Sequence, residues 1–371
     1  MCRFSRREFN VAMLMSGMTS TTAYSQKSPP EEQVGDLRLR DLSTASEQRR
    51  NSLRKTLKFF YNNPPSVSQH TPWEILHYAI AFGIDAQVKT GEQRASAIGW
   101  LCWNYPARGQ RLFSRQTTKN RLVVNQGPGV EGHEGQVLAL LAMSKVRSDF
   151  TIKVDGAEFT VKDLVEHEKQ SCDYGTELTF QLMGLAHYLS AETVWQSATG
   201  SEFTIDSLLR SELSQQVNGA ACGGSHRLMG ISYALNRRIH REEPMTPSWL
   251  RAQKYITDYI QYVLQLQNPD GSFSSNWFQS RGVTGDMRRK LYTSGHVLEW
   301  LVFSASNEQL MTEQVSLAVD FLSSTLHAQR LTGLEMGTVG HALRALTIYD
   351  ERVFGAKPGM RAELYGGMMT K

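Results

Sequence analysis

The chain has 371 residues, of which 40 % are apolar and 20 % are charged, and its formal net charge at neutral pH is +4. This balance is that of an ordinary folded protein and excludes an intrinsically disordered chain. The net charge is small and no basic run of the kind that binds nucleic acid occurs, so we expect no nucleic-acid partner.

The N-terminus has the pattern of an export signal. Residues 5–9, SRREF, resemble the twin-arginine export motif, and an apolar, methionine-rich stretch follows at residues 11–18. Ala23 and Ser25 stand at the usual cleavage spacing, and the apolar stretch is too short to span a bilayer. The sequence therefore predicts a signal peptide over residues 1–25, no stable membrane insertion, and a periplasmic or secreted protein. The alternative is a cytosolic protein in which the arginine pair is fortuitous.

After a polar linker predicted at residues 26–44, the pattern is helical almost throughout. Amphipathic segments predict outer helices with one buried face, and they are residues 45–62, 90–103, 161–171, 203–215, 247–267 and 311–328. Segments that are apolar on all sides predict buried inner helices, and they are residues 72–83, 133–144, 177–189, 225–235, 295–305 and 340–349. The best candidate for a β-hairpin is residues 150–160, around the turn signal Asp155-Gly156.

The strict alternation of outer and inner helices predicts an all-α fold. We expect an (α/α)6 toroid over residues 45–355, followed by a C-terminal tail at residues 356–371. Two stacked helical bundles or an open solenoid are the alternatives.

Four of the predicted inner helices begin with a small residue followed by a histidine: His133, His226, His296 and His341. The N–H groups and the dipole at a helix start disfavour a protonated imidazole, so these side chains are expected to be neutral bases or metal ligands. If the inner helices run in one direction, the four histidines line one cavity. The alternative is that they are packing residues copied with the repeat.

The other two inner helices depart from this pattern, since the first has His70 upstream of its start and the third has Glu177 in place of histidine. Within the cavity we expect acid–base chemistry from four catalytic residues, which are His133, Glu134, His226 and Glu177. We expect substrate binding by Arg227, as an anion clamp, and by His296, His341 and Trp277.

Cys222 stands four residues before His226, a spacing that suits a metal pair or a thiol–imidazole pair. A divalent metal such as zinc is therefore a candidate cofactor, although the spacing alone leaves the cofactor unknown. A buried thiol in a close-packed Gly-Gly turn is the alternative. With Cys102 and Cys172, three cysteines remain after the signal peptide, which allows free thiols, one disulfide or a metal site. The glycine-dense residues 125–136, NQGPGVEGHEGQ, are expected to rim the site.

Residues 267–273, QNPDGSF, end an outer helix and resemble the QW motif of the terpenoid cyclase and protein prenyltransferase toroid superfamily. A weaker copy is found at residues 329–333. The resemblance implies an α/α toroid. The Asp-x-Asp-Asp acid motif of squalene-type cyclases and the Asp-x-Cys zinc motif of prenyltransferases do not occur in this sequence. The predicted ring is also similar to that of polysaccharide lyases and some glycoside hydrolases.

These observations together predict an exported toroid protein with a histidine-rich central pocket. We expect an enzyme of lyase or hydrolase type that acts on an extracellular, saccharide-like substrate, with a small-molecule or glycan ligand in the cavity of a monomer. The first alternative is a non-catalytic toroid that binds a protein, glycan or lipid. The second alternative is a prenyl or terpenoid enzyme.

Overall fold

The structure, a computed structural model, describes residues 31–329 and 333–366, with side chains from residue 44 onward. Helix accounts for 56 % of the chain and strand for 10 %, so the predicted predominance of helix is confirmed. The signal peptide predicted at residues 1–25 lies outside the described residues. No helix within the described ranges is long and apolar enough to cross a membrane.

The long helices and short helical segments follow one another along the whole described chain. They are α1 (Glu31–Asn62), α2 (Pro72–Phe82), α3 (Ala97–Cys102), α4 (Gln136–Met143), α5 (Val161–Ser171), α6 (Thr179–Tyr188), α7 (Ile205–Ser214), α8 (Ser225–His240), α9 (Pro247–Gln265), α10 (Met287–Ser304), α11 (Asn307–Leu310), α12 (Glu313–Gln329), α13 (Met336–Phe354) and α14 (Arg361–Tyr365). Two 3-10 turns lie at Gly83–Asp85 and Ala221–Gly224.

Four antiparallel hairpins lie between the helices. They pair β1 (Gln87–Thr90) with β2 (Gln93–Ser96), β3 (Phe113–Gln116) with β4 (Arg121–Val124), β5 (Thr151–Val154) with β6 (Ala157–Thr160), and β7 (Trp195–Gln196) with β8 (Glu202–Phe203). The hairpin expected at residues 150–160 is present. Its turn residues Asp155 and Gly156 both have positive φ, as a two-residue type I′ turn requires.

The first hairpin corrects one predicted outer helix. Residues 90–103 were expected to be helical throughout, but β1 and β2 occupy their first part and only Ala97–Cys102 is helical. The capping residue Ser96 accepts a hydrogen bond from the Gly99 N–H and sets the start of α3.

The ends of the chain also differ from their expected roles. α1 begins at Glu31, so most of the segment expected to be a linker is helical. Residues 361–365 of the expected tail form α14, where the buried Tyr365 hydroxyl donates to Asp350 at 2.6 Å. The same carboxylate accepts a hydrogen bond from Arg54 of α1, so the described part of the tail packs against the helical body.

The six apolar helices expected to be inner are α2, α4, α6, α8, α10 and α13. They are buried over most of their length, because a helix that is apolar on every face must be covered on every face. Each one packs against the next in chain order, and α13 also packs against α2. The amphipathic helices α5, α7, α9 and α12 each contact one or two of these buried helices.

Glycines bring the backbones of these helices unusually close together. A Cβ added at Gly340 in α13 would overlap the carbonyl oxygen of His77 in α2, and one added at Gly295 in α10 would lie 3.1 Å from the Ala342 backbone nitrogen. Both glycines lie inside their helices and not at the helix starts predicted for them. At these two positions glycine therefore admits the neighbouring backbone, because it has no Cβ.

The turn resembling the QW motif joins three helices. The side-chain amide of Gln267 donates to the carbonyl oxygens of Gly271 and Gln314, which ties the end of α9 to the start of α12. The buried Phe273 donates its backbone N–H to Ser294 of α10. Asp270 accepts from Ser272 and holds the turn, as expected for an Asp-Gly pair.

We expect Gly340→Ala to lower the free energy of unfolding by roughly 1–3 kcal/mol, because the new methyl group forces α13 away from α2. Urea unfolding followed by circular dichroism would measure the change. Gly285→Ala is the matched control, since its Cβ meets nothing within 4 Å, and it should change stability by less than about 0.5 kcal/mol. Equal stability of the two variants would contradict the close approach.

Candidate functional site

Five histidine side chains meet where the buried helices come together. The rings of His296 and His341 are 3.8 Å apart between centroids. The His226 ring lies 5.4 to 5.6 Å from those of His133, His296 and His341, and the His77 ring lies 5.4 Å from that of His341. The four histidines expected to share a cavity therefore do so, and His77 is a fifth member that the sequence analysis missed.

The histidines come from different positions in their helices. His226 is in the first turn of α8 and His133 precedes α4, but His296 and His341 lie within α10 and α13. The helix-start argument for a neutral imidazole therefore fails for His296 and His341. Burial keeps the imidazole of His341 neutral instead, with the nearby Arg344 charge adding to it, and lowers its pKa to about 3.

Hydrogen bonds fix the tautomers of two of these rings. The Nδ1 atoms of His77 and His296 each lie 2.8 Å from a backbone carbonyl oxygen one turn earlier, that of Trp73 and that of Tyr292. A carbonyl oxygen only accepts, so Nδ1 carries the proton and Nε2 keeps its lone pair. Both rings thus offer Nε2 as a base or a ligand atom.

Two histidines are paired with carboxylates. His133 Nδ1 lies 3.0 Å from Glu177, and both side chains are about one-third exposed, at 27 and 31 %. His341 Nδ1 is bonded to the buried Glu299, which Arg344 also contacts at 2.9 Å. Burial raises the pKa of Glu299 to about 7, and the Arg344 guanidinium opposes that rise.

His226 lies at the centre of the cluster and differs from the other four. It is 8 % exposed, and neither ring nitrogen has a hydrogen-bond partner among the described residues. Burial, followed by the neighbouring imidazoles, holds the pKa of His226 well below its ordinary value. A buried polar group without a partner costs about 1–3 kcal/mol, so the sequence retains His226 against a stability cost.

The thiol of Cys222 reaches the same point from the 3-10 turn that precedes α8. The Cys222 sulfur and one nitrogen each from His226 and His296 lie within 4.8 Å of one another. Among the described residues, these three form the group whose atoms are close enough together to hold a metal ion. The sequence analysis named Cys222 and His226 for this role, and the structure adds His296. Cys102 and Cys172 are free and buried.

The cluster lines a cavity that opens into a wider depression. The cavity has a volume of about 210 Å³, and its wall includes all five histidines and Cys222. The outer depression, of about 500 Å³, is lined by the glycine-dense loop expected to rim the site. Trp73, Gly132, His133 and Glu335 line both spaces and mark the passage between them.

The loop carries two acids with different surroundings. Glu134 is exposed in the outer depression, as expected for a catalytic candidate. Glu131 lines the same depression but is 2 % exposed, and it accepts a hydrogen bond from the Val137 N–H at 2.9 Å. Burial raises the pKa of Glu131 to about 7, and the Glu134 charge adds to that rise. Burial therefore favours the protonated form of Glu131.

Two predicted substrate-binding residues lie outside the cavity wall. Arg227 is buried against Glu212 at 3.0 Å and also donates to Gln215 and Gln216, so its charge is already neutralised. Trp277 packs over Gly223 and meets the His296 ring edge-on at 5.7 Å between centroids. Both residues hold the surroundings of the site in place, which differs from their expected roles in substrate binding.

A different alignment of the sequence would have found His77. His70, which lies two residues before the start of α2, is in the preceding turn and bonds Ser66 instead. If the helices are aligned by the apolar residues that follow each histidine, His77 takes the same position in α2 as His296 in α10 and His341 in α13. No sequence pattern indicated a role for Glu299, because its partner His341 is 42 positions away in the chain.

Comparison of this chain with protein-family models, with curated proteins and with solved structures finds no match. The resemblance to the terpenoid cyclase and prenyltransferase toroids therefore stays a prediction from the turn at residues 267–273.

Glu131→Gln should make native stability less sensitive to pH. The native pKa of about 7 exceeds the ordinary 4.5, so the stability that this carboxyl contributes is present below pH 4.5 and lost as the pH rises to about 7. Between pH 4.5 and 7.5, the free energy of unfolding of the variant should rise by roughly 3 kcal/mol relative to that of the wild type. Urea unfolding at both pH values would measure it. Glu92→Gln, at an exposed position, should show the same pH dependence of stability as the wild type. If Glu131→Gln also shows it, the raised pKa of Glu131 would be refuted.

Proposed function

We propose that this protein is an exported enzyme whose helices form a closed (α/α)6 toroid, and that it performs acid–base chemistry at the mouth of the histidine-lined cavity. The circular order of contacts from α2 to α13 and back to α2 supports the closed ring. The twin-arginine pattern at residues 5–9 supports export. The reaction type that fits best is cleavage of an extracellular, saccharide-like substrate by a lyase or hydrolase.

The pair of His133 and Glu177 carries this proposal. The Glu177 carboxylate accepts a hydrogen bond from His133 Nδ1 at 3.0 Å, which leaves Nε2 of His133 as the basic atom. Both side chains are partly exposed, and His133 lines both the outer depression and the inner cavity. A base at this passage meets any ligand that extends from one space into the other.

Glu131 supplies the complementary acid. Its raised pKa keeps a proton on the carboxyl group near neutral pH, and it lines the same outer depression as His133. Two titratable groups whose surroundings separate their roles are the usual arrangement for acid–base catalysis. A lyase needs the base to remove a proton from carbon and the acid to protonate the leaving oxygen, whereas a hydrolase needs the base to activate water.

The space and its lining suit a saccharide-like ligand. The outer depression of about 500 Å³ falls within the roughly 300–1,000 Å³ range of small-molecule sites. The half-buried Trp73 stands at the passage and presents an aromatic surface of the kind that stacks on sugar rings. Its backbone N–H donates to the Gly129 carbonyl, which ties the glycine-dense loop to α2.

A screen of neutral and acidic polysaccharides, read for new unsaturated ends and new reducing ends, would test the activity. We expect His133→Ala to lower kcat/KM at least 10²-fold, the usual contribution of a general base. Glu177→Gln should lower it less, since Nε2 survives without its orienting carboxylate. The exposed His240→Ala is the control and should keep full activity. Binding of a glycan without turnover would favour the non-catalytic toroid instead.

Export can be tested separately from catalysis. Replacing both arginines of the motif, Arg6→Lys and Arg7→Lys, should abolish export, because the twin-arginine route requires that pair. Immunoblots of periplasmic and cytoplasmic fractions from a bacterial host would show the protein shift to the cytoplasm. Unchanged export of the double variant would contradict this route.

A further inference from the structure

The inner end of the cavity holds a set of donor atoms that neither acid nor base chemistry at His133 uses. Cys222 offers a sulfur, and His226 and His296 each offer a ring nitrogen, all within 4.8 Å of one another. Sulfur and imidazole nitrogen together select zinc and the neighbouring divalent transition metals over magnesium and calcium, which prefer oxygen ligands. In a tetrahedral zinc site such donors lie about 3.3–3.6 Å apart, so small side-chain rotations close the gap.

A second and independent observation is the state of His226. Its ring is more than nine-tenths buried, it lies at the centre of the five imidazoles, and neither nitrogen has a protein partner in the described part of the chain. Buried polar groups almost always have a partner in the folded protein, bound ions included. A metal ion would supply the missing partner for one nitrogen of this ring.

The other two donors are held in position by the surrounding structure. His296 Nδ1 is bonded to the Tyr292 carbonyl oxygen, which leaves Nε2 as the donor atom, and such a bond is the usual support of a metal-binding histidine. Cys222 has a φ of 48°, a conformation that few residues other than glycine adopt. The two glycines after it pack against Trp277 and Val217, so the turn is fixed by its neighbours.

We propose that Cys222, His226 and His296 bind a divalent transition metal of the zinc class. The three ligands leave a fourth position that faces the cavity of about 210 Å³, as in metal sites that bind water or a ligand group and unlike closed structural sites. The site goes beyond the chemistry proposed for His133 and does not depend on it. The His341 ring lies 3.8 Å from the His296 ring between centroids, and its bond to Glu299 orients it.

The test is metal binding by the full chain, purified after export and without a histidine tag. We expect elemental analysis to find about one zinc ion per chain, and the metal-free protein to rebind one equivalent of zinc. Substitution with cobalt should give the visible bands of a tetrahedral site and a thiolate-to-metal charge-transfer band. A wild-type protein that binds no stoichiometric zinc, or whose cobalt form lacks the thiolate band, would overturn the proposal.

Variants then identify the ligands. Cys222→Ser should abolish the thiolate band and weaken zinc binding at least 100-fold, and His226→Ala should weaken it similarly. Cys172→Ser, at a buried thiol that bonds Glu168 and does not line the cavity, is the matched control and should keep the band. Retention of the band in Cys222→Ser would refute the assignment. Circular dichroism would show whether each variant folds, and the wild-type cobalt spectrum decides the question if one does not.

Failure of this proposal and failure of the proposed activity give different results. His133→Ala should still bind one zinc ion, because His133 is outside the ligand set. Loss of zinc in that variant would contradict the ligand assignment. A protein that turns over its substrate but binds no stoichiometric zinc would leave the acid–base proposal standing while refuting the metal site.

Discussion

The close approach of neighbouring buried helices is the constraint on which the rest of the structure depends. At Gly340 the backbone of α13 lies directly against the His77 carbonyl of α2, and at Gly295 α10 lies against α13. Each glycine stands one residue before a histidine, so the contact that joins two helices also determines how far the next side chain reaches. The imidazoles can touch because the helix backbones do.

Because the imidazole rings lie so close together, they would repel one another if several of them were protonated. Burial lowers the pKa of His77 and of His341 to about 3 and holds those of His226 and His296 well below the ordinary value, which favours the neutral form of these four rings. Hydrogen bonds to backbone carbonyls or to carboxylates orient four of the five rings through Nδ1. In the described part of the chain, the central ring, that of His226, has no hydrogen-bond partner.

Much of this organisation could be predicted from sequence, because it depends on local periodicity. Six helices apolar on every side must be buried. The small residue and histidine found in four of them predicted that His133, His226, His296 and His341 would meet. The failures concern partners distant in the chain. Arg227 looked available for a ligand because nothing local indicates that Glu212 neutralises it. Residues 90–96 looked helical because their pairing with residues 87–89 is not visible in a helical periodicity, and the glycines looked like helix starts because their real contacts are on other helices.

Among the described residues, α6 is the buried helix that adds no imidazole to the cluster, so the cluster has two unlike sides. α6 contributes Phe180, which packs against the rings of His133 and His226, and Phe180 and Met183 line a narrow space of about 20 Å³ beside the cluster. The opposite side carries the nitrogen atoms of α10 and α13. A fully symmetric ring of histidines would accept a ligand in several equivalent rotations. This cluster is instead apolar on one side and rich in nitrogen atoms on the other, so its two sides present different chemical groups.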